Sequence, residues 1–246
     1  LGIAIPALCG SAGTPVAEGG DCGELKEKPL HINGGVVMIC NMGDYLCAIC
    51  NAYKAAKTPC CSPDLRSSIE RGRRRIISGI AEDYFAELMC NILKDNSLHF
   101  FVDQPIKGDR HQVYPDVVIA RKSGVDHYTI LHMIDLKMDV GYYRNSVKSA
   151  GRSYIDKANE LERNLNWLRV SGIITTNGWR KDLKTNATIC FEIAKAARYD
   201  MVVISAENAG GQKEKEELLK LSSNPDLNIW ALSAGVHPND AKEIKD

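Results

Sequence analysis

Acidic residues placed to share a hard cation, with a lysine beside them, carry the clearest chemistry in this 246-residue sequence. Pro115-Asp116 opens the β-branched run Val117-Val118-Ile119-Ala120, and Asp135-Leu136-Lys137 closes the apolar run Ile130 to Ile134. Alternate residues of a strand share a face, so Asp135 and Lys137 should point one way while Ile134 and Leu136 face a core. A short turn, Arg121 to Gly124, separates the two runs, and adjacent antiparallel strands would bring both carboxylates together. Two converging carboxylates form an oxygen-ligand site suited to Mg²⁺, which polarises oxygen substrates and lowers the pKa of a bound water. The short patterns themselves recur, at Pro63-Asp64, Pro225-Asp226, Asp182-Leu183-Lys184, Glu24-Leu25-Lys26 and Glu243-Ile244-Lys245. Context separates them: only Asp116 opens a β-branched strand, and only Asp135-Leu136-Lys137 ends an apolar one.

In this arrangement the chain resembles the PD-(D/E)xK nuclease superfamily, the fold of most type II restriction endonucleases. The matching residues are Pro115-Asp116, Asp135-Leu136-Lys137 and Glu82 on the preceding helix, within roughly residues 70–205. The resemblance implies an α/β, restriction-endonuclease-like core with a mixed central sheet flanked by helices. It implies Mg²⁺ (Mn²⁺ as a substitute) held by Asp116, Asp135 and the backbone carbonyl of Leu136. Lys137 would position or activate the attacking water, and Glu82 would reach the metal site directly or through water. The implied reaction is hydrolysis of double-stranded DNA by a sequence-specific type II enzyme acting as a homodimer. Other nucleases of the superfamily (repair, junction-resolving or phage-associated) stay open, as does a non-catalytic DNA-binding relative, although the intact Asp, Asp and Lys set argues against the last. Glu82 lies off the centre of its helix's apolar stripe, so a solvated face competes with the ligand reading.

Candidate DNA contacts follow the second motif. Tyr142 and Tyr143 lie in the loop leaving the strand, and Arg144, Lys148 and Arg152 recur every four residues as a basic stripe. Arg71, Arg73, Arg74 and Arg75 cluster before the first helix, and Trp179, Arg180, Lys181 and Lys184 offer projecting donors for a groove. A solvated surface is the competing reading for each. The six histidines show no metal-ligand spacing, and His132, facing away from Asp135, is expected in the core.

The elements that must position these groups are legible from residue 67 onward. Ile76, Ile77, Ile80, Ala81, Tyr84, Phe85, Leu88 and Ile92 form one helical face, ended by Asp95-Asn96-Ser97. His99 to Val102 reads as a strand, Pro105 to Arg110 as a polar turn and Tyr128 to Met138 as a long strand. A second helix carries Val147, Ala150, Tyr154, Ala158, Leu161, Leu165 and Leu168. Asn177-Gly178 is expected as a tight hairpin turn between Gly172–Thr176 and Trp179–Leu183. A buried strand at Met201–Ile204, a charged helix from Gln212 to Leu221 and a last strand at Asn228–Leu232 complete the reading.

Residues 1–62 show no sustained periodicity and hold seven of the nine cysteines, so they are expected as a weakly structured extension to a nuclease domain over 63–246. Cys47-Ala-Ile-Cys50 with Cys60-Cys61, and Cys40 in reserve, is the one candidate structural zinc site, and it is not the favoured reading. Lys and Arg total 31, matching 31 Asp and Glu, so charge does not favour a non-specific nucleic-acid coat. No apolar run approaches the roughly 20 residues of a membrane helix. The apolar stretch Leu1–Leu8 lacks a preceding basic segment and is not read as a signal peptide, so a cytoplasmic location is expected.

Overall fold

The computed structural model describes residues 38–57, 77–139, 154–180, 185–206 and 212–233. Among these residues the fold is mixed α/β: one mixed sheet with helices packed on both faces. The elements are α1 (Met42–Lys57), α2 (Ser78–Leu93), β1 (Leu98–Val102), β2 (Ile106–Lys107), β3 (Gln112–Val113), β4 (Val117–Gly124) and β5 (His127–Asp139). Then come α3 (Tyr154–Arg169), β6 (Ile174–Arg180), β7 (Thr185–Ser205), α4 (Gln212–Ser222), a 3₁₀ turn (Pro225–Leu227) and β8 (Ile229–Ala231). The sheet order is β1-β4-β5-β7-β6-β2-β3, with β8 also on β7. β4 pairs antiparallel with β1 and β5, whereas β5 and β8 run parallel to β7.

Helical periodicity chose the buried faces. In α2, Ala81, Phe85, Leu88 and Met89 are buried, whereas Ile80 and Ile92, expected on the same face, are exposed. Lys94 in the left-handed region (φ 48°) stops the helix by donating its N–H to Cys90 O. In α3, Tyr154, Ala158, Leu161, Leu165 and Leu168 are all buried, as their spacing requires. Two apolar cores result. One lies between α3, α4 and the sheet, with Val118, Ala120, Met133, Tyr199, Met201 and Val203; the other lies between α1, α2 and the opposite face, with Val117, Ile119, Ile134, Leu136 and Val202.

A bulge sets which face carries the motif. Ile119 pairs with His132 but Ala120 with Ile130, leaving Leu131 as the extra residue of β5. Tyr128 and Ile130 therefore share the α3 face with Met133, while Ile134 and Leu136 turn to the α2 face. Alternation from Met133 then puts Asp135 and Lys137 on the α3 face. His132 is buried, as expected, but its partner is polar: Nδ1 lies 3.1 Å from Asp200 Oδ2. Asp200 also accepts from Trp230 Nε1 at 3.0 Å and lies 3.4 Å from Arg198 Nε. One buried carboxylate thus ties β5, β7 and β8 together.

Three expectations need correction. The stretch 1–62 is not weakly structured throughout: α1 lies inside it, and Ile39, Tyr45, Ala48 and Ile49 join the α2 core. Tyr45 packs edge-on against Phe85 with ring centroids 5.9 Å apart, and Ile39 N–H donates to Glu87 at 2.9 Å. The glycine and cysteine content of the stretch hides a helix whose apolar face is completed only by α2. Asn177-Gly178 is not a hairpin turn, because β6 runs through both, pairing Asn177 with Thr188 and Gly178 with Ala187. Long cross-strand pairing overrode the local turn preference. The polar turn at Pro105–Arg110 contains β2, which pairs with β3 and β6.

Candidate functional site

Asp116 sits one residue before β4, where its N–H donates to Ile134 O at 2.9 Å and its O accepts from Asp103 N–H at 2.9 Å. These bonds hold its backbone between β1 and β5, and Val117 pairs with Ile134 in the β4–β5 register. Its Oδ2 accepts the Leu136 N–H at 2.5 Å, so the first carboxylate is locked onto the second motif by the backbone between Asp135 and Lys137. The Lys137 ammonium lies 2.9 Å from Asp135 Oδ2 and 3.9 Å from Asp116 Oδ2. The three side chains are largely buried, with 10%, 23% and 17% exposure for Asp135, Asp116 and Lys137. Asp135 Oδ2, although close to the ammonium, accepts no hydrogen bond of ordinary geometry.

Electrostatics extend the group. Burial pushes the Asp116 carboxyl up to about 6, opposed by Lys137 and the Leu136 N–H and helped by Asp135 and Asp103. Burial likewise pushes Glu82 up to about 7, with Asp116, Asp103 and Asp83 adding to the effect and Lys137 opposing it. α2 therefore brings the half-buried Glu82 within electrostatic reach of the two motifs. Asp103 was missed by sequence reasoning. It follows β1 in the left-handed region (φ 49°), and the Val102–Val117 pairing sets it across from Asp116. The available signal was an acidic residue directly after the strand read at His99–Val102, whose pairing with β4 only the structure shows.

Among the described residues Lys137 is the cation that acts on Glu82, Asp116 and Asp135, and Asp103 adds further negative charge beside Asp116. Such an excess of negative charge in a half-buried site either retains protons or takes up a cation. The donor set, carboxylate oxygens with one underused buried oxygen on Asp135, fits a hard divalent ion. Among the described residues no cluster of three or more His, Cys, Asp or Glu side chains has ready-made metal spacing. A cation at Asp116 and Asp135 would have to complete its shell with backbone oxygen or water.

Of the other sequence candidates, Tyr142, Tyr143, Arg144, Lys148 and Arg152 lie outside the described residues, as do Arg71, Arg73, Arg74, Arg75, Lys181, Asp182 and Lys184. Arg180 closes β6, with its side chain outside the described set. Cys47 and Cys50 lie on α1, the first exposed and the second buried, while Cys60 and Cys61 fall outside the described residues. Among the described residues no helix is long and apolar enough to cross a membrane. Compared with known proteins, the chain matches no family model, no curated protein and no solved structure.

Proposed function

We propose that this protein is a Mg²⁺-dependent endodeoxyribonuclease of the PD-(D/E)xK type, cutting double-stranded DNA at specific sites. The observation that carries the reading is the meeting of Asp116, Asp135 and Lys137 from neighbouring antiparallel strands, with the lysine ammonium on both carboxylates. Glu82 on the preceding helix adds support, because its carboxyl feels Asp116 directly. The mixed sheet with helices on both faces is compatible with a restriction-endonuclease-like core.

In this reading Asp116 and Asp135 hold the cation, with the Leu136 carbonyl as a third oxygen. When bound, Mg²⁺ supplies Lewis-acid stabilisation of charge on the phosphoryl group and leaving oxygen. Lys137 orients the attacking water and offsets the negative charge that grows on the phosphorus-bound oxygens. The Leu136 N–H holds the Asp116 carboxylate through Oδ2, beside the Lys137 ammonium. Glu82, with its raised pKa, is suited to accept a proton near neutral pH. Two active sites in a homodimer would address both strands.

Incubation of the purified protein with supercoiled plasmid and Mg²⁺, with EDTA as control, tests the proposal. Discrete bands support a site-specific enzyme, and a smear supports a non-specific nuclease of the same chemistry. Intact plasmid under all metal conditions, with DNA retained in a gel-shift assay, would favour a binding protein instead.

A further inference from the structure

Tyr199 lies on β7, on the sheet face that carries Asp135 and Lys137, and is only 2% exposed. Parallel pairing sets Tyr199 beside Met133 and Met201 beside Asp135, so the ring stands one step along the same face from the carboxylate. A buried tyrosine hydroxyl normally finds a hydrogen-bond partner. No hydrogen bond to the Tyr199 hydroxyl is found among the described residues, and Oη is not one of the fully enclosed unpartnered atoms, which are Asp135 Oδ2 and Thr176 Oγ1. What surrounds it is charge: after burial, Asp135, Asp116 and Glu160 act on the phenol and drive its pKa upward. Glu160 comes from α3, where its carboxylate is held 3.0 Å from the Lys157 ammonium.

A phenol is protonated at neutral pH, and these neighbours only strengthen its hold on the proton. The sheet face therefore carries an uncharged donor one step along from Asp135 and within electrostatic reach of both carboxylates. Neutrality matters in this position. A second lysine or arginine would fall onto Asp116 and Asp135 and compete with a divalent ion, whereas a hydroxyl donates to an anion without displacing the cation. We propose that Tyr199 Oη donates a hydrogen bond to a phosphoryl oxygen of the bound phosphodiester, making Tyr199 a substrate-contacting residue of this site. The inference rests on the nuclease reading for the identity of the phosphodiester, but its contact can be measured without cleavage.

Tyr199→Phe removes one oxygen and keeps the ring, and losing a hydroxyl with no hydrogen bond among the described residues should leave the melting temperature nearly unchanged. Calorimetric titration with Mg²⁺ alone, then with thymidine 3′,5′-bisphosphate at saturating Mg²⁺, separates the two ligands. The variant should bind Mg²⁺ like the wild type and bind the bisphosphate about ten-fold more weakly, as expected for one lost hydrogen bond to a charged group. Unchanged bisphosphate affinity overturns the contact, as does a wild type that binds no bisphosphate. An equal loss of Mg²⁺ affinity also overturns it, since Tyr199 would then act through Asp135. Plasmid cleavage by the wild type is scored separately. A wild type that cuts, paired with a variant that binds the bisphosphate normally, sinks only the Tyr199 contact. A wild type that does not cut, with binding still dependent on the hydroxyl, sinks only the nuclease reading.

Discussion

Asp116→Asn is expected to make the metal-free protein more stable while abolishing its cleavage of DNA. The wild-type carboxyl is pushed up to about 6 from the ordinary 3.8, chiefly by burial. The difference, 6 − 3.8 = 2.2, corresponds to about 3 kcal/mol at about 1.4 kcal/mol per unit, an upper bound because the side chain keeps 23% exposure. The sign follows from proton linkage. The folded state holds the Asp116 proton more tightly than the unfolded state, so the penalty starts as pH rises past 3.8 and is complete above about 6. Attraction to Lys137 is already contained in that net shift. Asparagine is neutral at all these pH values and still offers an oxygen to the Leu136 N–H. Urea unfolding in EDTA should therefore show the variant more stable by about 1–3 kcal/mol at pH 8 and by roughly half as much at pH 5. Added Mg²⁺ should stabilise the wild type and leave the variant unmoved. A variant equally destabilised at both pH values would show that Asp116 is a structural residue, and the charge-excess account of the site would fail.

Lys137→Ala should lower plasmid cleavage by orders of magnitude while Lys184→Ala does little; the reverse ranking, read from initial rates, would point to Asp182-Leu183-Lys184 as the working copy. Ile49→Ala should cost about 2–5 kcal/mol in urea unfolding, because the side chain is fully buried against α2. A truncation starting at Pro63 should accordingly lose cooperative thermal unfolding, and a sharp transition at the wild-type temperature would refute the packing role of α1. Asp200→Ala should cost about 3–5 kcal/mol by stripping His132, Trp230 and Arg198 of their shared acceptor, and a loss under 1 kcal/mol would mean that the network is dispensable.

What could be read from the sequence was what local periodicity encodes. The buried faces of α2 and α3, the β4 and β5 strands and the shared direction of Asp135 and Lys137 all follow from spacing of 3.6 or 2 residues. What could not be read depends on partners distant in sequence. α1 places Tyr45, Ala48 and Ile49 in a core against which Met42 and Leu46 also pack, but these residues lie within a cysteine- and glycine-rich stretch, and Ala81, Phe85 and Leu88 of α2 complete the core. Asn177-Gly178 carries a strong local turn signal, yet a neighbouring strand as long as β7 holds the backbone extended through it. Asp103 and Tyr199 carry no motif at all. Their relevance appears only once β1 lies beside β4 and β7 beside β5.

The bulge at Leu131 and the Asp200 network explain how a charged site survives on a buried face. Clustered carboxylates opposed by Lys137 resist close packing where β4 and β5 meet. The same two central strands are pinned just upstream, where His132 of β5 meets Asp200 of β7. Those pins lie on the α2 face and the reactive carboxylates Asp135 and Asp116 on the other, so Asp200 can satisfy three donors without competing for Lys137. A one-residue slip of β5 would turn Asp135 and Lys137 into the α2 core and move Ile134 and Leu136 to the α3 face. The slip would also separate His132 from Asp200, leaving buried polar groups unpaired on the opposite face. The polar network therefore favours the register that assembles the site.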